Sequence, residues 1–530
     1  MKTILFYKET TYSFFLVLIS LFTLSSCEDF LEEQPTTEID ANYIYSSETG
    51  LKSGVVGLYS LERERYETST EDYMGAVLMS SRSDLAFSRT GYTGLMGRYE
   101  RGVSPIDQGA NFTSSLFWDH YYSIATKATE IINAAEILEN IDEESRSQII
   151  AEAKFFRAHS YFYLYRMFNN IYVTTESLES AFEVINDKSS EDEIFTLLND
   201  DLTYAIANLD WIDTFGRVTK GTAKHVKAKV AMWQGDWTEA KNQALDIIEG
   251  PESPHSLVGS TADVFAGDRN NSESLFVIQR NNELSGGGGL NMMNANYVTQ
   301  YFQISGIESN NEQGGRGFSR ILPNRYLMDL IAEDPNDTRD DDTYFRLNWY
   351  YTSGSNFGEV VDNYAPFPSS DYQNYYKRMH PSCIKFAQED GNADSYLITG
   401  NILVYRLAET YLIAAEAIMN SSGDPLPYIN AVRTRANATP LMSVDQQAIL
   451  DERARELAFE GQRWFTLKRM GQSVIDFQMT NYAGDGEFFP ANFGGSKDPR
   501  VNWMPHFINW PIAQRDLDLL GIDYPQNDGY

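Results

Sequence analysis

The stretch AEAKFFRAHSYFYLYRMF, Ala151–Phe168, decides the fold. Wound at 3.6 residues per turn, it places Phe155, Phe156, Tyr161, Phe162, Leu164, Tyr165 and Phe168 around most of the circumference. A helix apolar on nearly every side must sit between neighbours. The spacing therefore predicts a buried helix over 144–168 and further helices around it. One is predicted over 114–138, where Trp118, Tyr122, Ala125, Ile132 and Ile137 recur at three- or four-residue steps. Others are predicted over 190–209 and 220–234.

Downstream, AKVAMWQGDWTEAKNQALDIIEG (Ala228–Gly250) turns at Gly235-Asp236 into a fifth helix. Trp233 before the turn, with Ala240 and Ala244 after it, resembles the helix-turn-helix unit of tetratricopeptide arrays. Similar pairs are read at 402–419 with 427–435, and at 444–459 with 461–470. Between them, residues 251–400 are rich in Gly, Asn, Ser and Tyr, as in NNELSGGGGLNMMNANYVTQYF and NWYYTSGSNFGE. Such segments predict loops and short strands, and loops this long are usually functional. The expected fold class is mostly α: a split tetratricopeptide-like helix-pair scaffold with a large irregular loop-rich lobe and a few short strands. The scaffold is placed at about 40–250 and 400–475, and the lobe at 251–400 together with the C-terminal segment 476–530.

The N-terminal end is read separately. Phe14 to Leu24 is an apolar run behind Lys2 and Lys8, which matches a secretory signal and is too short to span a bilayer. Leu24-Ser25-Ser26-Cys27 puts two small residues before a cysteine, the pattern of a lipoprotein signal. Residues 1–26 are thus a predicted signal peptide, and Cys27 is the predicted lipidation site, its acyl chains anchoring a domain spanning 27–530. Cys383 is the other of two cysteines and has no partner for an intrachain disulfide.

The formal net charge of the 530-residue chain is −33. That surface repels phosphate backbones and anionic headgroups, so nucleic acid is not an expected partner, and lipid is the expected membrane attachment. Aromatic residues make up 13% of the chain. Most belong in a core, and a surface remainder suits a ligand with flat apolar faces and many hydroxyls, such as a sugar.

The blocks ILDERARELAFEGQRWFTLKRMG, ILVYRLAETYLIAAEAI with INAVRTRANA, AEAKFFRAHSYFYLYRMF and the ending WPIAQRDLDLLGIDYPQNDGY together resemble the SusD/RagB-like outer-membrane lipoproteins of Bacteroidota. CEDFLEEQP is similar to that family's processed N-terminus, with acidic residues that direct export to the cell surface. The resemblance implies a non-catalytic nutrient-capturing lipoprotein seated on a SusC-like TonB-dependent transporter, usually for glycans and sometimes for peptides. It also implies four tetratricopeptide-like helix pairs.

Ligand-binding candidates come from loops. SSRSDLAFSRTGYTGLMGRYE offers Arg82, Asp84, Tyr92 and Tyr99, and Tyr297, Tyr301 and Phe318 flank the glycine-rich stretches. Rings stack on sugar C–H faces while Arg and Asp bind hydroxyls. Arg406, Glu409 and Glu416, and Arg453, Glu456, Glu460 and Arg463, are spaced for an ion network between packed helices. No catalytic residue and no cofactor is expected. The six His, at His120, His159, His225, His255, His380 and His506, show no zinc-helix spacing. The run EDPNDTRDDD, Glu333 to Asp342, is an acidic turn with carboxylates for calcium, but without the glycine and final glutamate of an EF-hand. The reading from sequence is a glycan-binding surface lipoprotein. Its alternatives are a peptide-capturing relative and a surface glycoside hydrolase, whose two carboxylates would be defined by separation in space rather than in sequence.

Overall fold

The computed structural model describes residues 44–66, 79–80, 83–89, 108–176, 184–281, 291–361, 372–388, 392–484 and 498–530. The first half is helical: α1 Glu48–Glu64, α2 Gln108–Ile137, α3 Glu143–Phe168, α4 Glu191–Asn208, α5 Lys220–Gln234 and α6 Trp237–Ile248. The second half adds α7 Arg325–Ala332, α8 Leu407–Met419, α9 Leu426–Arg435, α10 Gln446–Leu457, α11 Arg463–Met470 and α12 Gln472–Tyr482. Among the described residues six short strands pair antiparallel in twos: β1 Ala86–Ser88 with β3 Ile321–Pro323, β2 Ser274–Ile278 with β6 Ile402–Arg406, and β4 Phe345–Arg346 with β5 Ser382–Cys383. The fold is mostly helical, as expected, with no closed sheet among the described residues.

α3 is the central helix. The Asp142 side chain caps its first turn, and every residue from Ile149 to Phe168 except Lys154 is buried. It packs on α1, α2 and α4, and Tyr163 stacks on Tyr121 of α2 with ring centroids 4.9 Å apart. The turn between α5 and α6 is closed by Gly235 at φ 72°, a left-handed conformation in which a Cβ would be strained. Ala228, Ala231, Ala240, Ala244, Ala414 and Ala417 then let α5, α6 and α8 approach closely, which joins the two helical halves.

Two expectations are corrected. Residues 402–406 open the expected 402–419 helix as a strand. ILVYR is buried at all five positions, contains β-branched Ile402 and Val404, and pairs with the equally apolar β2. Helix α8 starts only after Arg406. The C-terminal segment, grouped with the lobe from sequence, packs in part on the end of α3: Trp510 N donates to Met167 O at 2.9 Å, and Asn527 Nδ2 donates to the Phe168 and Trp510 carbonyls. These bonds occupy carbonyls that a helix end leaves without intrahelical partners.

Charged residues of the scaffold form a buried network between elements. Arg406 donates to Glu273 (3.1 Å), Glu456 (2.5 Å) and Glu460 (2.8 Å), while Arg435 pairs with Glu273 at 2.8 Å and also with Glu456. Arg339 reaches Asp337 (2.7 Å), Glu452 (2.6 Å) and Glu456 (3.0 Å). Burial opposes ionisation of Glu456, but Arg435, Arg406 and Arg339 outweigh it and hold this carboxyl well below the usual range. Several acidic residues of the proposed calcium turn are engaged within the fold: Asp337 on Arg339, Glu333 on Arg455, and Asp334 as acceptor from Thr439 N and Asn336 N.

Candidate functional site

A cleft of about 1520 Å³ opens in the lobe, and its walls come from turns separated by more than a hundred residues. The stacked pair Tyr301 and Trp349 lies beneath it, with centroids 4.3 Å apart and planes 11° from parallel. Trp349 is pinned by its indole N–H on Met379 O at 3.0 Å. The Tyr301 hydroxyl donates to Asn310 O at 3.0 Å and accepts from Asn310 N at 3.2 Å, which fixes the turn 310–313. Gln313 in turn grips the backbone of Tyr350, accepting from its N–H at 2.9 Å and donating to its carbonyl at 3.2 Å. Arg346 lies 5.8 Å from the Tyr350 ring centroid and donates to Glu312 O.

From this floor the chain runs out along Tyr350 and Tyr351 and returns through a short hairpin in which Gly358 N donates to Tyr351 O at 2.9 Å. Gly354 and Gly358, at φ 83° and 81°, make its reversals. Phe357 at the tip is 73% exposed although it lines the cleft. Such an exposed ring is a ready apolar platform. Opposite, Asn401 accepts from Arg280 N at 2.7 Å and donates to Asp268 O at 2.9 Å, tying the segments that flank β2 and β6. The cleft thus presents rings together with amide and guanidinium groups. That combination stacks on and hydrogen-bonds a neutral polyhydroxylated ligand.

A second aromatic surface lies in the same lobe. Phe318 stacks on Tyr396 at 4.2 Å with planes 6° apart, and Arg316 lies over Phe302 (4.6 Å) and Tyr396 (5.4 Å). All four side chains are half-buried.

The candidates read from sequence separate into distinct environments. Phe318 is on this half-buried aromatic surface. Tyr301 is buried and positions the 310–313 turn instead of facing the cleft. Tyr297 is also buried, its hydroxyl donating to Ser80 Oγ at 3.2 Å and its ring edge-on to Phe459 at 4.9 Å. Asp84 is buried in a two-bond pair with Arg463, at 2.6 and 2.8 Å. It serves the scaffold. Cys27, Arg82, Tyr92 and Tyr99 lie outside the described residues. Sequence reasoning misses Tyr350, Tyr351 and Phe357 although NWYYTSGSNFGE reads as a loop: its consecutive rings, followed by Gly354 and Gly358 around Phe357, are the signal. Cys383 is buried, and burial pushes its thiol up to about 12, an inert setting. Among the described residues no His, Cys, Asp and Glu cluster suits a metal ion, and no helix is long and apolar enough to cross a membrane.

Comparison with known proteins gives the family. The SusD family model matches residues 262–530, and a model described as starch-binding associating with outer membrane matches 29–231. SusD-like protein P25 of Formosa agariphila is 28% identical over 554 aligned positions, covering 96% of this chain and 98% of that one. A SusD homolog from Bacteroides thetaiotaomicron superposes with a TM-score of 0.72 at 20% identity, over 93% of this chain and 99% of the other. Surface glycan-binding protein A of the same species, solved with laminarihexaose, gives 0.68 at 19% identity, over 90% and 98%. With one family model spanning half the chain and the fold shared almost end to end, this chain belongs to the SusD family.

Proposed function

We propose that the protein is a cell-surface glycan-binding lipoprotein, anchored through Cys27 to the outer membrane, that passes poly- or oligosaccharide to a TonB-dependent transporter and performs no chemistry on it. The observation carrying this reading is the lobe's wide cleft, with Tyr350, Tyr351 and exposed Phe357 beside Asn and Gln amides on a rigid Tyr301–Trp349 floor. Ring faces and amides recognise sugars without a reactive group. Membership in the SusD family supports the reading, as does the laminarihexaose bound by one structural neighbour.

The test is migration of the soluble protein in native gels cast with a panel of polysaccharides, followed by analysis of each mixture for released oligosaccharide. Retardation without product is expected. Phe357→Ala and Tyr351→Ala are expected to weaken retention about tenfold, the loss of about 1.4 kcal/mol of stacking. Product that co-purifies with the protein would overturn the non-catalytic reading. Retention by no glycan, with binding to peptides, would replace sugar by peptide.

A further inference from the structure

Where α3, α5, α8, α10 and α11 meet, a small cavity of about 20 Å³ remains, lined by Arg166, Lys229, Glu409, Arg453, Gln462 and Arg469. That is room for one small particle and too little for a polyatomic ion such as sulfate. Its charge is unbalanced. Glu409 accepts from Lys229 (2.8 Å) and Arg453 (3.0 Å), and Arg469 is matched by Glu416 at 2.7 Å. Four cations therefore share two carboxylates. Burial draws Lys229 down to about 8, still largely protonated at neutral pH, and His225, which also bonds Glu409, is held neutral by burial.

Arg166 is the decisive group. It is completely buried; its Nε donates to Phe162 O at 3.2 Å, while Nη1 and Nη2 have no hydrogen-bond partner. Nη1 of Arg453 has none either. The faces of the Arg166 guanidinium are covered by Phe162, Tyr163 and Phe465 at 4.2 to 4.3 Å, so only its N–H edge remains to be satisfied. An uncompensated buried guanidinium is among the costliest features a fold can hold. A water molecule would fill the space and leave the positive charge. A monovalent, monatomic anion does both.

We propose that this cavity is a structural halide site, in which chloride accepts hydrogen bonds from Arg166 and Arg453 and locks the two helical halves together. The decisive experiment uses the intact soluble protein with bromide as probe. Crystals grown in sodium bromide are expected to show an anomalous peak within hydrogen-bonding distance of the Arg166 and Arg453 Nη atoms. In solution, the unfolding midpoint should rise saturably with chloride or bromide at ionic strength held constant with gluconate, and not with sulfate. Arg453→Gln, which leaves Arg166 in place, should shift that saturation at least tenfold to higher halide. Water density alone in the cavity, or a midpoint indifferent to the anion, overturns the proposal. Bromide density without a solution effect marks an adventitious ion only and overturns it too.

Discussion

Glu62 shows how one side chain can carry the pH dependence of the scaffold. It is fully buried on α1, neither carboxyl oxygen has a hydrogen-bond partner, and burial, only partly offset by Arg65, raises its pKa to about 7. The 3.7 Å approach of His159 is no ion pair, because burial holds that imidazole neutral. The folded chain therefore binds this proton more tightly than the unfolded chain does. The associated stability is complete below the ordinary carboxylate range and is lost as pH rises toward and through 7, by about 3 kcal/mol in all. Glu62→Gln is expected to raise the thermal midpoint at pH 8 and change it little at pH 5, measured by calorimetry. At this scale the sequence is least legible. Asp84 sits in a loop of ligand-like composition, yet its partner Arg463 lies in the last quarter of the chain, and nothing local announces the pairing. Tyr297 and Tyr301 likewise look like binding residues beside glycines until the fold places Phe459 and Trp349 against them.

Elements were easier to read where periodicity ran long. α3, α4 and α5 start and stop within a residue or two of expectation, because each has its Asp, Ser or Thr cap encoded locally and α5 also its left-handed closing Gly235. β6 was misread because four buried apolar residues before Arg406 fit either period, and only the distant β2 decides between them. What joins elements is the network around Glu456, which touches cations from the β6 end, α9 and the turn holding Arg339. Because the folded pKa of Glu456 is depressed, its contribution is present above the ordinary carboxylate range and is lost only as pH falls below it. Glu456→Gln strands Arg339, Arg406 and Arg435 with one charge fewer among them. Urea denaturation at pH 7 is expected to show a loss of about 3–5 kcal/mol. An unchanged midpoint would mean that the network fixes geometry without stabilising it.

For the whole molecule, the two-part plan of helical scaffold and loop-rich lobe was legible from composition, because low periodicity and glycine-rich runs mark residues 251–400. The cleft within that lobe was not, since its walls come from turns that only the tertiary fold assembles. Attachment belongs to this scale as well. On the proposed function, with a net charge of −33, an acylated Cys27 is what retains the protein at an anionic membrane. Cys27→Ala is expected to move the protein from the membrane fraction to the soluble fraction without altering glycan retention in the native gel. Persistence in the membrane fraction would show that another segment holds it there.

The pairing of β2 with β6, and the docking of α6 on α8, also set an order of events during biosynthesis. Ser274–Ile278 emerges long before Ile402–Arg406, and Glu273 before Arg406 and Arg435. Contacts so distant along the chain are slow to form. Until the last third has been made, α3 holds its aromatic girdle without the C-terminal segment that covers its end, and β2 waits as an unpaired apolar edge. Such half-finished chains are the ones that aggregate. A chain ending before Ile402 is therefore expected to aggregate on refolding where the full chain does not, which light scattering of the two would check.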